Sequence, residues 1–294
     1  MRKKIYILFN PYAGNGDCEV RAKDLSREYP ADEVVLMDIT KIGDYTALVS
    51  ELKPIDKLIV CGGDGTLNRF INDTYDLHIH NDILYYGTGN GNDFLRDLRK
   101  KPGCKPFRIN SFIKNLPTVT VTGKTRYFLN GIGFGIDGYC CEVGDQLREK
   151  KKKPNYTAIA VKGLLYGYKP TSAVVTIDGK KHTYDKVWIA PTMNGRFYGG
   201  GMMPTPKQNR NDSRNRVSFA AIHDSGKLHT LCVFPTIFKG THVKHKKMVD
   251  VFTGHNVSVE FDRPVALQID GETVLGVRSY TVNACPTTEK GCCH

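Results

Sequence analysis

The residues of this 294-residue chain with the clearest capacity for chemistry are glycines and carboxylates that follow short apolar runs. Asn10-Pro11-Tyr12-Ala13-Gly14-Asn15-Gly16 follows one such run, Gly62-Gly63-Asp64-Gly65-Thr66 another, and Gly87, Gly89 and Gly91 a third. Glycine lets a backbone approach a phosphate and aim several N–H groups at it, and a helix N-terminus adds positive potential. At any single loop the same glycines could simply close a tight turn. Three of them at strand ends along one sheet edge point to a phosphate-bearing ligand. Asp64, between glycines, either organises a divalent cation through water or forms a turn. Asp270-Gly271-Glu272 either offers an acid–base group or is an exposed hairpin turn.

Several other chemistries lack their signatures. Walker A (GxxxxGK[ST]) and HExxH are absent. Gly133-Phe134-Gly135-Ile136-Asp137-Gly138 has dinucleotide-binding spacing, but Ala158 stands where an acid would hold a ribose, and no second βα unit follows.

The elements that must position these groups follow from apolar periodicity. Residues 3–9, 34–37, 57–61 and 83–86 predict strands. Helices are predicted around Val20 and Leu25, over 43–52, from Thr66 as N-cap with Leu67, Phe70 and Ile71 on one face, and over 93–98. This alternation implies a Rossmann-like parallel α/β sheet covered on both faces, with all three loops at its carboxyl edge. Beyond about Pro117, residues 118–122, 127–130, 173–177, 187–190, 217–222, 257–261, 265–269 and 280–282 predict an antiparallel β-rich, sandwich-like domain. Helices near 138–149 and 156–168 interrupt it. The expected organisation is an α/β domain over 1–117, a β-rich domain over 118–284 and a tail over 285–294.

Forty-two Lys and Arg against 30 Asp and Glu give a net charge of +12, which favours anionic partners. The basic runs Lys150-Lys151-Lys152-Lys153 and Lys244-His245-Lys246-Lys247 lack interleaved aromatics, and no nucleic-acid module accompanies them, so no nucleic-acid partner is expected. They are either solvated loops or a transient attachment to an anionic membrane surface, where each lysine contributes about 1 kcal/mol. Nine cysteines, an odd count without CxxC or zinc spacing, read as reduced thiols. Ile5 to Phe9 is too short an apolar run for a signal peptide, and no segment reaches the roughly 18 apolar residues of a membrane span, so a cytoplasmic protein is expected. Cys292-Cys293-His294 reads as a tail, His78 and His80 as surface, and Trp188 and Phe197 as core. The sequence is silent on oligomeric state, a homodimer included.

Five motifs then occur in order: Asn10 to Gly14; Gly62-Gly63-Asp64-Gly65-Thr66-Leu67-Asn68; Gly87-Thr88-Gly89 followed by Asn92-Asp93-Phe94; Asn194-Gly195-Arg196-Phe197-Tyr198-Gly199-Gly200-Gly201-Met202; and Asp270-Gly271-Glu272. Together they resemble the signature of the diacylglycerol kinase catalytic-domain family, which includes bacterial soluble lipid kinases and sphingosine kinases and is similar to NAD kinases through the GGDG loop. The resemblance implies an ATP-dependent, Mg²⁺-assisted lipid kinase that phosphorylates the hydroxyl of a diacylglycerol-like lipid at the cytoplasmic membrane face.

It also implies nucleotide contacts from Asn10, Pro11, Tyr12, Ala13, Gly14, Thr40, Gly63, Asp64, Gly65, Thr66, Leu67, Asn68, Arg69, Thr88 and Asp93. Glu272 matches the proposed general base, and Asp64 the organiser of Mg²⁺. A structural Mg²⁺ would take the Asp212 carboxylate, with Asn209 and Arg214 as backbone-carbonyl ligands. Asn211 and Ser213 stand where that stretch usually has an acid and a glycine, so an unmetallated polar loop is the competing reading. Further departures are Arg69 in place of an acid, a longer fourth-strand loop through Gly89-Asn90-Gly91, and Thr120 or Thr122 where an interdomain acid is usual. Alternative readings are a kinase of a soluble acceptor such as NAD and a nucleotide-binding regulatory protein without transfer.

Overall fold

A computed structural model describes residues 2–284; Cys292, Cys293 and the expected tail lie outside the described residues. The chain divides into two compact units between Lys114 and Asn115.

In the N-terminal unit β1 (Lys4–Phe9), β2 (Glu33–Asp38), β3 (Lys57–Gly62) and β4 (Asp82–Gly87) pair in parallel. The short β5 (Phe107–Arg108) adds an antiparallel edge, giving the order β2-β1-β3-β4-β5. Ile5, Ile7, Leu8, Leu58, Ile59 and Val60 are all buried, including neighbours in sequence that face opposite sides, as a sheet covered on both faces requires. The helices are α1 (Cys18–Ser26), α2 (Thr46–Glu51), α3 (Asp64–Thr74), α4 (Asp93–Asp97) and α5 (Asn110–Ile113). α3 starts earlier than the expected Thr66 cap: Gly63 is the N-cap and Asp64 the first helical residue. A carboxylate in the first turn favours this start, since it complements the N–H end of the helix. Leu67, Phe70 and Ile71 form the buried face as expected. α2 is shorter than predicted because the Asp44 carboxylate accepts the Thr46 N–H and hydroxyl at 2.9 and 2.7 Å.

The C-terminal unit contains β6 (Thr118–Val121), β7 (Lys124–Tyr127), β8 (Gly131–Phe134), β9 (Thr171–Ile177), β10 (Lys180–Val187), β11 (Thr192–Met193), β12 (Val217–Ile222), β13 (Val249–Gly254), β14 (Asn256–Ile269) and β15 (Glu272–Asn283). Its helices are α6 (Ile136–Glu149), α7 (Tyr156–Lys162) and α8 (Lys227–Val233). Among the described residues the sheet runs β13-β12-β11-β8-β14-β15-β6-β7, with β9 on β14 and β10 on β9. The predicted segments 257–261 and 265–269 are one strand, β14, with register irregularities between Glu260 and Val265 and between Val265 and Leu267. Those irregularities re-aim the strand, so its first half pairs with β9 and its second with β8. Phe134 and Phe261 stack at 3.8 Å beneath Tyr280, and Trp188 is buried, whereas Phe197 is only half-buried.

The strand expected over 187–190 is not one: β10 ends at Val187, and Ile189 makes isolated bridges to Gly135 and Ile222. Residues 128–130 are not a strand, since β7 ends at Tyr127. The glycine run from Gly133, which lacks the rest of a dinucleotide fingerprint, serves packing: Gly133 lies inside β8, and Gly138 lets α6 press onto β14. A Cβ at 138 would sit 1.9 Å from the Ala266 carbonyl oxygen, a backbone contact that no rotamer relieves. Gly138→Ala is therefore expected to lower stability by about 3 kcal/mol or more, read as a urea midpoint shift. Gly65→Ala, in helix α3 with open space around the new methyl, should leave stability unchanged or raise it by about 0.5–1 kcal/mol.

Candidate functional site

In the N-terminal unit the loops after β1, β3 and β4, three adjacent strands, are bonded to one another. Asn10 Nδ2 donates to Thr66 Oγ1 at 2.9 Å, while Asn10 Oδ1 accepts the Tyr12 N–H at 3.0 Å. The Thr88 N–H donates to Gly62 O at 2.8 Å, and the Thr88 hydroxyl to Cys18 Sγ at 3.2 Å. A Cβ on Gly89 would lie 2.4 Å from Gly63 Cα, so glycine at 89 is what allows the two loops to touch. Asp64 joins them again: its Oδ2 accepts the Asp93 N–H at 2.8 Å and its Oδ1 the Phe94 N–H at 3.0 Å. Each carboxylate oxygen retains a second lone pair for water or for a hydrated cation. Asp64 therefore fits contact with Mg²⁺ through water.

The structure thus brings Asn10, Gly14, Gly63, Asp64, Thr66, Thr88 and Asp93 to one sheet edge, with Pro11 and Ala13 half-buried in the first loop and Tyr12 81% exposed. Thr40 is exposed and held by the Asp38 carboxylate through its N–H and hydroxyl. Three residues sit apart. Leu67 is buried in the core and its N–H is used by Gly63 O; Asn68 is buried and accepts from Asn72; Arg69 is exposed and pairs with Asp73 at 3.5 Å along α3. Helical periodicity, which turns Leu67, Asn68, Phe70 and Ile71 to the core and Arg69 to solvent, accounts for all three. Burial raises the Cys18 and Cys61 thiols, so neither is a thiolate nucleophile.

In the C-terminal unit Asp270 and Gly271 are the two central residues of the β14–β15 hairpin, both with positive φ (46° and 91°). The hairpin reading is thus correct, and incomplete. The Asp270 carboxylate also accepts the N–H groups of Leu129, Asn130 and Gly131 at 2.5, 2.8 and 3.0 Å. The carbonyl groups of the same segment face Asn194 and Arg210: Asn194 Nδ2 donates to Leu129 O at 2.9 Å, and Arg210 reaches Leu129 O at 2.5 Å and Asn130 Oδ1 at 2.7 Å. Glu272, one residue past the turn, is half-exposed and receives Arg126 Nη1 on its Oε2 at 2.5 Å. Arg126, Arg210 and Asn130 escaped the sequence reading, because nothing in local spacing marks partners about 80 to 146 residues apart.

A buried carboxyl stands beside this set. Tyr198, from the glycine-rich stretch after Asn194, donates its hydroxyl to Asp137 at 2.9 Å. Burial pushes Asp137 up to about 6, against the opposing pull of Tyr198 and of the first N–H groups of α6.

The expected structural Mg²⁺ site does not fit its residues. Arg216 Nε donates to Asp212 Oδ2 at 2.7 Å, Arg216 Nη2 lies 3.4 Å from Oδ1, and this guanidinium holds the Asp212 carboxyl below its usual range. His255 Nε2 lies 2.9 Å from the Arg214 carbonyl, and the Asn209 carbonyl accepts the Asp212 N–H at 3.0 Å. The one anionic ligand is neutralised within the chain, which leaves a divalent cation only the two carbonyl oxygens and no free anionic donor from this set. Among the described residues no three His, Cys, Asp or Glu side chains converge on a metal position.

Residues 4–122 match the diacylglycerol kinase catalytic domain, and residues 130–288 match the YegS C-terminal NAD kinase beta sandwich-like domain. The chain belongs to the diacylglycerol kinase catalytic-domain family. Within it, the chain is 30% identical over 262 residues to a candidate lipid kinase of Staphylococcus aureus MRSA252, covering 84% of each chain. It is 23% identical over 297 residues to YtlR of Bacillus subtilis, also named a candidate lipid kinase, covering 92% of this chain and 88% of that one. A crystal structure of a diacylglycerol kinase from Bacillus anthracis shares the fold, with a TM-score of 0.63, 19% identity, and 96% and 94% of the two chains covered. This is a family of kinases, and membership carries ATP use with it.

Two outcomes follow for this family member. Asp137 keeps its proton to about pH 6 when folded but loses it near pH 4 when unfolded, so the native state binds more protons and stability falls as pH rises through that window. Asp137→Asn should abolish this fall, gaining about 3 kcal/mol on wild type between pH 4 and 7 in urea titrations. EDTA should leave the thermal midpoint of wild type unmoved, while Arg216→Ala should lower it by freeing the Asp212 carboxylate.

Proposed function

We propose that this protein transfers the γ-phosphoryl group of ATP to the hydroxyl of a diacylglycerol-like lipid. The observation that carries the reading is the mutual bonding of the three glycine loops on adjacent strands, which sets backbone N–H groups and the α3 N-terminus at one edge for a polyphosphate. Asn10, Pro11, Tyr12, Ala13, Gly14, Gly63, Asp64, Gly65, Thr66, Thr88 and Asp93 bind nucleotide there, with Thr40 beside them. Leu67 and Asn68 support the loop from the core. Mg²⁺ arriving with ATP would neutralise charge on the phosphates, and Asp64 would meet it through water.

In the C-terminal unit Glu272 accepts the hydroxyl proton of the lipid, and Arg126 keeps its carboxylate in one rotamer. Phosphoryl transfer asks mainly for positioning and charge neutralisation, so a carboxylate held in place suffices. Asp270 is a positioning residue: it fixes the turn from which Glu272 projects. A lipid acceptor is supported by the candidate lipid kinases that the chain resembles along most of their length.

The test is ADP release from Mg-ATP against mixed micelles containing diacylglycerol, a sphingoid base or no lipid, with NAD as a soluble control. Diacylglycerol-dependent release that falls about 10²- to 10⁴-fold in Glu272→Gln is the expected result. Release with NAD alone would overturn the lipid assignment, and full activity in Glu272→Gln would overturn the base.

A further inference from the structure

α8 runs without a break into a 3₁₀ segment, Phe234–Lys239, and the two bury one stripe and expose another. Thr230, Val233 and Ile237 are buried against the unit. Leu228, Cys232, Pro235 and Phe238 are exposed, Leu228 by 74% and Phe238 by 49%. The spacings i, i+4, i+7 and i+10 across an α-to-3₁₀ transition place these four on one line facing solvent. Tyr166, 84% exposed, extends the line from the neighbouring helical turn Gly163–Gly167, which is tied to α8 by Lys227 Nζ donating to Leu165 O at 2.9 Å. Single exposed apolar side chains are ordinary, but a row of them on adjoining elements is not.

The segments that carry this row are one-sided in charge. Residues 150–177 and 225–249, the two segments that build these elements, hold eleven lysines and no aspartate, glutamate or arginine. Nearly all of the chain's net charge of +12 therefore lies in them. Lys239 and Lys246 are exposed at and beyond the end of the row.

We propose that this row is a membrane-docking face: Leu228, Phe238 and Tyr166 enter the interface of an anionic bilayer and the surrounding lysines meet its headgroups. A polyanion such as nucleic acid would use the lysines and leave the leucine and aromatics in water, whereas an interfacial element uses both. The inference deepens the lipid-kinase reading, since it names the surface by which a soluble enzyme reaches a lipid acceptor.

Sedimentation with vesicles of phosphatidylcholine alone or with phosphatidylglycerol, without nucleotide, separates this claim from the catalytic one. Wild type should bind the anionic vesicles and bind the neutral ones far less. Lys239→Glu/Lys246→Glu should weaken partitioning at least about 25-fold, and Leu228→Ser/Phe238→Ser at least about tenfold, with unchanged melting curves and unchanged turnover on diacylglycerol in detergent micelles. Absence of binding to anionic vesicles, binding that ignores both variants, or binding to duplex DNA in preference to vesicles would each overturn the docking face. Loss of micellar turnover in wild type would strike the kinase reading and leave the docking result standing.

Discussion

The bonds from the Leu129, Asn130 and Gly131 N–H groups to the Asp270 carboxylate are the interaction on which the candidate base depends. Removing the carboxylate would leave three part-buried backbone donors without their acceptor, at a cost of about 1–3 kcal/mol each. The same bonds explain why β7 cannot extend through residues 129 and 130: the Leu129 and Asn130 donors are already taken by the hairpin, whereas the Phe128 N–H donates to Pro117 O at 3.2 Å. With the N–H side of that segment fixed, its carbonyl side must face Asn194 and Arg210, which draws the glycine-rich stretch after Asn194 to the same place. Glu272 is then positioned by backbone two residues away, and its own side chain remains half-exposed and able to meet an acceptor.

Asp64 repeats the device in the N-terminal unit. It sits at the start of α3 and accepts the first N–H groups of α4, so one carboxylate satisfies donors of two elements that follow different strands. Asp64 and Asp270 each lie in a motif that reads as catalytic, and each first serves as a clamp. A carboxylate suits both duties because its two oxygens offer about four acceptor positions, of which backbone N–H groups fill only part.

The fold was legible wherever periodicity was long. The four parallel strands and the Leu67, Phe70, Ile71 face follow from runs of Ile, Leu and Val that no loop would carry. β5, two residues long, has too little sequence to show a period. The merger of 257–261 with 265–269 was hidden because the irregularity at Val265 shifts the alternation and mimics a strand end. At the site, residue type and order located Asp64, Asp270 and Glu272, while Arg126, Arg210 and Tyr198 act only through long-range contacts. Gly133 to Gly138 has dinucleotide-binding spacing without the acid or the second βα unit, and the close approach of α6 to β14 gives the glycine at 138 a steric reason.

Asp212 carries this argument from backbone to charge. A carboxylate beside two backbone carbonyls can be balanced by a bound cation or by a guanidinium that the chain itself supplies. Arg216, four residues on, supplies it through a bond at 2.7 Å. The two solutions differ in what they make the loop depend on. A divalent ion ties folding to ion concentration, because its binding free energy becomes folding free energy. An arginine in the same chain has a fixed effective concentration and keeps its charge at any physiological pH. Asn211 and Ser213, which look like losses when read against the family pattern, accompany this exchange.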